Sequence, residues 1–154
     1  MKIREATATD NVLAREIVQA SLATFGLTAE FEAGGQDDAV GRLGSGENAV
    51  ELVAELDGVV VGCVVVRAGP GNTAKLFGFH VAQAMRGRGL GRALLVNAIA
   101  KAGAAGIATL KLDTLQEMEA AVHLYESLGW ELDGDAVPAD GSGADRSYIL
   151  RIPT

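Results

Sequence analysis

The chain has one cysteine, no run of lysines or arginines, and no apolar stretch long enough to cross a bilayer. Each shortage excludes something. Cys63 cannot form an internal disulfide, and its place in an apolar run reads as a small buried side chain rather than a nucleophile. Twenty acidic residues stand against thirteen basic ones, a formal net charge of −7. A nucleic-acid partner normally needs a basic face, so none is expected. The acid excess suits cationic substrates such as amines without singling them out. The longest strongly apolar run, Val59 to Val66, is far shorter than the roughly 20 residues of a spanning helix, so no membrane partner is expected. The start, Met1-Lys2-Ile3-Arg4-Glu5, alternates polar and apolar residues and lacks a signal-peptide core, which points to a cytoplasmic setting.

What is present suits one folded domain over residues 1–154. Apolar residues make up 49% of the chain, which excludes disorder throughout. The pattern predicts a short strand from Lys2 to Ala6. A helix follows, capped by Thr9 or Asp10, with Val12, Leu13, Ile17 and Leu22 inward and an end near Phe25. A second, weaker helix is expected from Thr28 to Val40, and a glycine-serine loop from Gly41 to Asn48. Val50 to Leu56 and Val59 to Val66 read as strands joined by Asp57-Gly58, a two-residue hairpin signal. Thr73 to Val81 reads as a strand, Gly91 to Ala102 as a helix with Leu94, Leu95 and Ile99 inward, and Ile107 to Asp113 as a strand. Ala121, Leu124, Tyr125 and Leu128 recur at helical spacing, with Gly129 placed to end that helix at positive φ. A polar connection from Asp133 to Asp145 leads to a last strand, Ser147 to Ile152. Strands and helices in this order give an α+β layer fold with a mixed sheet.

The most informative stretch is Arg86-Gly87-Arg88-Gly89-Leu90-Gly91-Arg92, between the strand ending at Val81 and the helix that follows. A helix start carries unpaired N–H groups and a partial positive charge. Alternate glycines let successive amides point into one concavity, and forked arginine donors suit phosphate. The pattern reads as a phosphate cradle, against the plainer reading of a glycine-rich turn with solvated arginines. Gly87-x-Gly89-x-Gly91 lacks the third glycine of the dinucleotide fingerprint, and no acidic ribose partner closes a strand about 20 residues on. Arg92-Ala93 after Gly91 also breaks the nucleoside-triphosphate loop pattern. A nucleotide-binding oxidoreductase is therefore disfavoured.

Arg86-x-x-Gly89-x-Gly91, followed downstream by Leu124-Tyr125-Glu126-Ser127-Leu128-Gly129-Trp130, resembles the GNAT family of N-acetyltransferases, in element order from about Ile3 to Leu132. The resemblance implies a three-layer fold with a central, mixed, mostly antiparallel sheet flanked by helices. It also implies acetyl-CoA as co-substrate, with no metal. Backbone groups of Phe79, His80 and Val81 would meet the pantetheine arm and acetyl carbonyl. Arg86, Gly87, Arg88, Gly89, Leu90, Gly91 and Arg92 would hold the pyrophosphate. Gln83 replaces a proline common in the family, and Met118 an asparagine that contacts the cofactor in many members; Leu112-Asp113-Thr114-Leu115-Gln116-Glu117-Met118 resembles a bacterial subgroup with methionine there.

Transfer of an acetyl group to an amine needs a held thioester, an unprotonated amine and a proton for the leaving thiolate. The resemblance puts Tyr125 near the sulfur as proton donor; a phenol stays protonated at neutral pH, and the alternative is an aromatic packed in the core. Asp113 matches an acidic position used as base in some protein N-terminal acetyltransferases, or caps the turn at Thr114. His80, His123, Glu51 and Glu55 are the other titratable candidates, and water is an alternative proton carrier. The acceptor pocket is expected from the first two helices, the Gly41–Asn48 loop and the segment after Trp130. These features point to an acetyl-CoA-dependent N-acetyltransferase acting on a primary amine, of a small molecule or a protein N-terminus. The rival is a non-catalytic acyl-CoA-binding regulatory module on the same fold; self-association as a homodimer is left open.

Overall fold

The computed structural model describes residues 1–25, 43–134 and 146–153. The helix expected at 28–40 and the connection over 135–145 lie outside the described residues. In chain order the elements are β1 (Lys2–Glu5), α1 (Asn11–Ala23), β2 (Val50–Leu56), β3 (Val59–Ala68), β4 (Thr73–Val81), α2 (Leu90–Ala104), β5 (Thr109–Thr114), α3 (Glu119–Ser127), β6 (Glu131–Leu132) and β7 (Arg146–Arg151). They form one sheet in the order β1-β2-β3-β4-β5-β7-β6, antiparallel at every pairing except β4 with β5. The expected fold class holds.

Local chemistry explains most of these elements. Asp57 and Gly58 both take positive φ, 52° and 79°, which is what a two-residue turn matching strand twist requires. Val64, Val65 and Val66 of β3 are fully buried, because helices cover both faces of this central strand. On one face α2 inserts Leu90, Leu94, Leu95, Ala98 and Ala102 into the larger core cluster, which α3 joins through Val122 and Tyr125. On the other, α1 packs Ala14, Val18 and Leu22 against Val53, Cys63, Val65 and Phe77. Three layers result.

The face of α1 differs from the expected one. Val12 is 65% exposed and Leu13 43%, while Ala14, Val18, Ser21 and Leu22 are buried. Asp10 departs from its expected role as well. It does not cap α1 with its side chain. Instead its carboxylate accepts the Thr7 amide at 2.8 Å and both terminal nitrogens of Arg4, at 2.9 and 3.0 Å. That anchor ties the start of α1 to β1, and the small side chains of Ala14 and Ser21 let the helix lie close on the sheet.

Two irregularities position the site. Between β3 and β4, Cys63 pairs with His80 but Val65 with Phe77, so Gly78 and Phe79 both oppose Val64. This is a bulge, made at Gly78 with φ 61°, and bulges bend the strand that carries them. The parallel pairing of β4 with β5 covers only Thr73–Lys75 against Thr109–Lys111. Beyond those three rungs the strands part, and β5 stays paired along its length with β7. The sheet opens between β4 and β5.

Candidate active site

A cavity of about 590 Å³ occupies this opening. Phe79, His80 and Val81 of β4 form one wall and Asp113 and Thr114 of β5 the other. The loop into α2 closes one end, and Ser21 and Phe25 of α1 line the cavity too. The cavity passes through the sheet. The Phe79 ring lies on the α2 face, 5.9 Å from that of Tyr125, whereas His80 Nδ1 lies on the α1 face, 2.8 Å from Ser21 Oγ. Successive strand residues point to opposite faces, so one wall serves both.

The loop expected to cradle phosphate sits on the α2 face. Gly87 and Gly89 have φ of 81° and 79°, and Gly89 is the residue before the first turn of α2. A Cβ at either would meet nothing within 4 Å, so the concave side of the loop is open. The first amides of α2 have no acceptor within the helix and face this space with the positive end of the helix dipole. A Cβ at Gly91 would lie 3.2 Å from Phe79 Cζ, so that glycine brings the helix close to β4.

The arginines of the loop divide. Arg92 lines the cavity. Arg86 lines it too, but its guanidinium turns back, donating to Ser21 Oγ at 3.0 Å and to the Val81 carbonyl at 3.4 Å. It braces the loop against α1 and the end of β4. Arg88 is exposed and does not line the cavity.

A family model described as "Acetyltransferase (GNAT) family" matches residues 16–130. The chain belongs to the GNAT acetyltransferase family. It is thus an acetyltransferase by family. No curated protein sequence matches it. Among solved structures, a GNAT acetyltransferase from Staphylococcus aureus superposes with a TM-score of 0.81 at 17% identity, over 99% of both chains. The Escherichia coli ribosomal-protein-S18-alanine N-acetyltransferase gives 0.71 at 25% identity, over 99% of this chain and 94% of that one. A putative acetyltransferase from Salmonella typhimurium, solved with acetyl-CoA, gives 0.71 at 22% identity, over 100% and 95%.

Within this GNAT site the chemically able side chains fall on both faces. Tyr125, 5% exposed, stands on the α2 face among Phe79, Trp130 and Tyr148, with ring centroids 5.8 to 6.1 Å away. Tyr148 holds α3 in turn: its hydroxyl donates to Glu126 at 2.9 Å and accepts from Arg146 at 3.2 Å. Burial, then the Glu126 carboxylate, pushes the Tyr148 phenol above its usual range. Asp113 lies in the wall of β5, one oxygen accepting from Ser147 Oγ at 2.6 Å and the other 3.3 Å from Lys75 Nζ. It is not the cap of the turn at Thr114. His123 is exposed at the rim of the cavity. Glu51 and Glu55 lie elsewhere: Glu51 accepts from Gly44 and Asn48, and Glu55 from Arg4. Ser21 and Phe25 were not among the expected site residues. The signal for Ser21 is a polar residue seven positions after Ala14, in the buried stripe of α1.

Proposed function

We propose that the protein moves the acetyl group of acetyl-CoA to a primary amine, of a small molecule or a protein N-terminus, in the cytoplasm. The observation that carries this reading is the opening between β4 and β5, which joins a cradle of free amides on one face to a polar wall on the other. The residues fit the co-substrate: left-handed Gly87 and Gly89 leave open space beside the first turn of α2, and Arg92 adds charge there. Acetyl-CoA would supply the activated thioester. Amides from Gly87 to Arg92 hold its pyrophosphate, and Phe79 to Val81 of β4, beyond the rungs shared with β5, receive the pantetheine arm. Tyr125 then donates a proton to the departing thiolate. Asp113, anchored by Ser147 and Lys75, places negative charge on the α1 face and draws the ammonium of the acceptor there. The name of the E. coli relative supports including a protein N-terminus among candidate acceptors.

Calorimetry and turnover test the reading together. Acetyl-CoA binds and raises the melting temperature, by about 2.7 kcal/mol of stabilisation at a hundredfold excess over Kd, whereas NADH and ATP do not. Free thiol is released with at least one member of an amine panel. Binding of NADH without coenzyme A overturns the reading, and binding without turnover of any amine favours the non-catalytic module.

A further inference from the structure

A proton donor helps a departing thiolate only while its ring is held in line with the sulfur. Tyr125 stands on α3, a helix of nine residues, shorter than the roughly 12–15 below which an isolated helix is marginal in water. Its start takes no side-chain cap from Met118, and its buried residues are Val122 and Tyr125. Contacts with neighbouring elements therefore set where α3 lies. One comes from Tyr148, fully buried in β7 between Leu112 of β5 and Leu132 of β6. Its ring centroid lies 6.1 Å from that of Tyr125. Its hydroxyl donates to Oε2 of Glu126, the next residue of α3, at 2.9 Å. Arg146, two positions earlier on the same face of β7, donates to that hydroxyl at 3.2 Å. A charged donor behind the phenol polarises it and strengthens its bond to the carboxylate. β7 is paired with β5 along the whole length of β5, so the tether refers α3 to the regular wall of the opening.

We propose that Tyr148 is a positioning residue for the acetyl transfer: through Glu126 and through its own ring it fixes the placement of Tyr125. This rests on the acetyltransferase reading above and on Tyr125 as the proton donor. Tyr148 makes and breaks no bond to a ligand. The proton that reaches the thiolate leaves the Tyr125 oxygen, and Tyr148 keeps its own, directed at Glu126. Tyr148→Phe preserves the ring and removes only the tether. Glu126 is exposed and Arg146 half-buried, so both regain water when the hydroxyl goes, and no buried charge is stranded. The tether therefore matters more to where Tyr125 stands than to whether the chain folds. Released from β7, the last turn of α3 is free to shift against Phe79 on the other wall, whose ring lies 5.9 Å from that of Tyr125. A displacement of about 1 Å costs a positioned group up to roughly 10²-fold in rate.

The test is steady-state kinetics with an amine that the parent acetylates. The variants are Tyr148→Phe, Glu126→Ala, Glu126→Gln, Tyr125→Phe and the Tyr125→Phe/Tyr148→Phe double variant. Tyr148→Phe lowers kcat by about tenfold, while KM for acetyl-CoA stays within about threefold and circular dichroism shows the parent fold. Glu126→Ala, at an exposed position, cuts the tether from its other end and gives the same loss. Glu126→Gln retains an oxygen that accepts from Tyr148 and keeps kcat within about threefold of the parent. In the Tyr125→Phe background, adding Tyr148→Phe changes kcat by less than about twofold, because it acts through the hydroxyl already missing. A merely structural role gives the full loss there too, and that additive result overturns the proposal. So does a Tyr148→Phe enzyme within about threefold of the parent. Tyr125→Phe at the parent rate removes the donor and with it the proposal, and leaves the acetyltransferase reading standing. A parent that binds acetyl-CoA and acetylates no amine overturns both.

Discussion

Phe79 and His80 are neighbours in β4 and belong to opposite halves of the site. The first stacks toward Tyr125 at 5.9 Å between centroids, and the second meets Ser21 of α1 at 2.8 Å. Alternation along one strand thereby sends neighbouring side chains of the cavity wall to opposite faces of the sheet. The bulge at Gly78 and Phe79 lies in the part of β4 beyond the rungs shared with β5.

Tyr125→Phe removes one hydroxyl and keeps the ring among Phe79, Trp130 and Tyr148. Stability and acetyl-CoA affinity stay close to those of the parent. If the phenol protonates the departing thiolate, kcat and kcat/KM fall together by roughly 10²-fold, since the lost interaction is made in the transition state. Steady-state kinetics on both proteins checks this. A change under about threefold corresponds to less than about 1 kcal/mol and leaves Tyr125 a packing residue.

Gly89→Val tests the cradle. The backbone there has φ of 79°, which a β-branched residue resists, and the new side chain enters the open space before α2. Acetyl-CoA affinity falls by at least tenfold, about 1.4 kcal/mol, with the fold retained. Calorimetry with circular dichroism separates the two effects. Unchanged affinity makes the loop a structural turn.

Gly91→Val has a different consequence. Its Cβ would stand 3.2 Å from Phe79 Cζ, so the ring or the helix must give by a few tenths of an ångström even without ligand. Overpacking of this kind costs about 1–3 kcal/mol. Urea unfolding in the absence of acetyl-CoA reads that loss directly, and a variant as stable as the parent contradicts the close approach.

Acid stability should follow the Arg4–Asp10 pair. Hydrogen bonding to Arg4 holds the Asp10 carboxyl below its usual 3.8, despite the opposing effect of burial. A carboxyl depressed in the folded state contributes stability above its unfolded pKa and loses it as pH falls through the folded value. Melting temperature therefore declines below about pH 4, an effect of this group's linkage. Asp10→Asn lowers stability at pH 7 by about 1–3 kcal/mol, as for a hydrogen bond to a charged group. The gap between variant and parent narrows in acid. A constant gap from pH 7 to pH 3 removes the pair from the acid response.

The hairpin at Asp57-Gly58, the strand Thr73–Val81, the glycine loop before α2 and the helix stop at Gly129, with φ 95°, were all legible in the chain. Each is decided within a few residues, by turn conformation, by alternation or by the free amides of a helix start. The buried face of α1 was not legible in this way. Val12 and Leu13 are more apolar than Ala14 and Ser21, yet the helix turns the small residues inward, where Ala14, Val18 and Leu22 pack on Val53, Cys63, Val65 and Phe77. Nor was the bulge at Gly78, which depends on the register of β4 against β3.

By itself the sequence determined the described elements, their order and the family motif, since those follow from local conformation and periodicity. Tertiary structure alone decided which side chains share the cavity. Ser21 meets His80 across 59 positions of chain and Arg86 across 65. Such contacts exist only after α1 has docked on β3 and β4, and β4 has parted from β5. They are set by packing and strand register, which no short window of residues encodes.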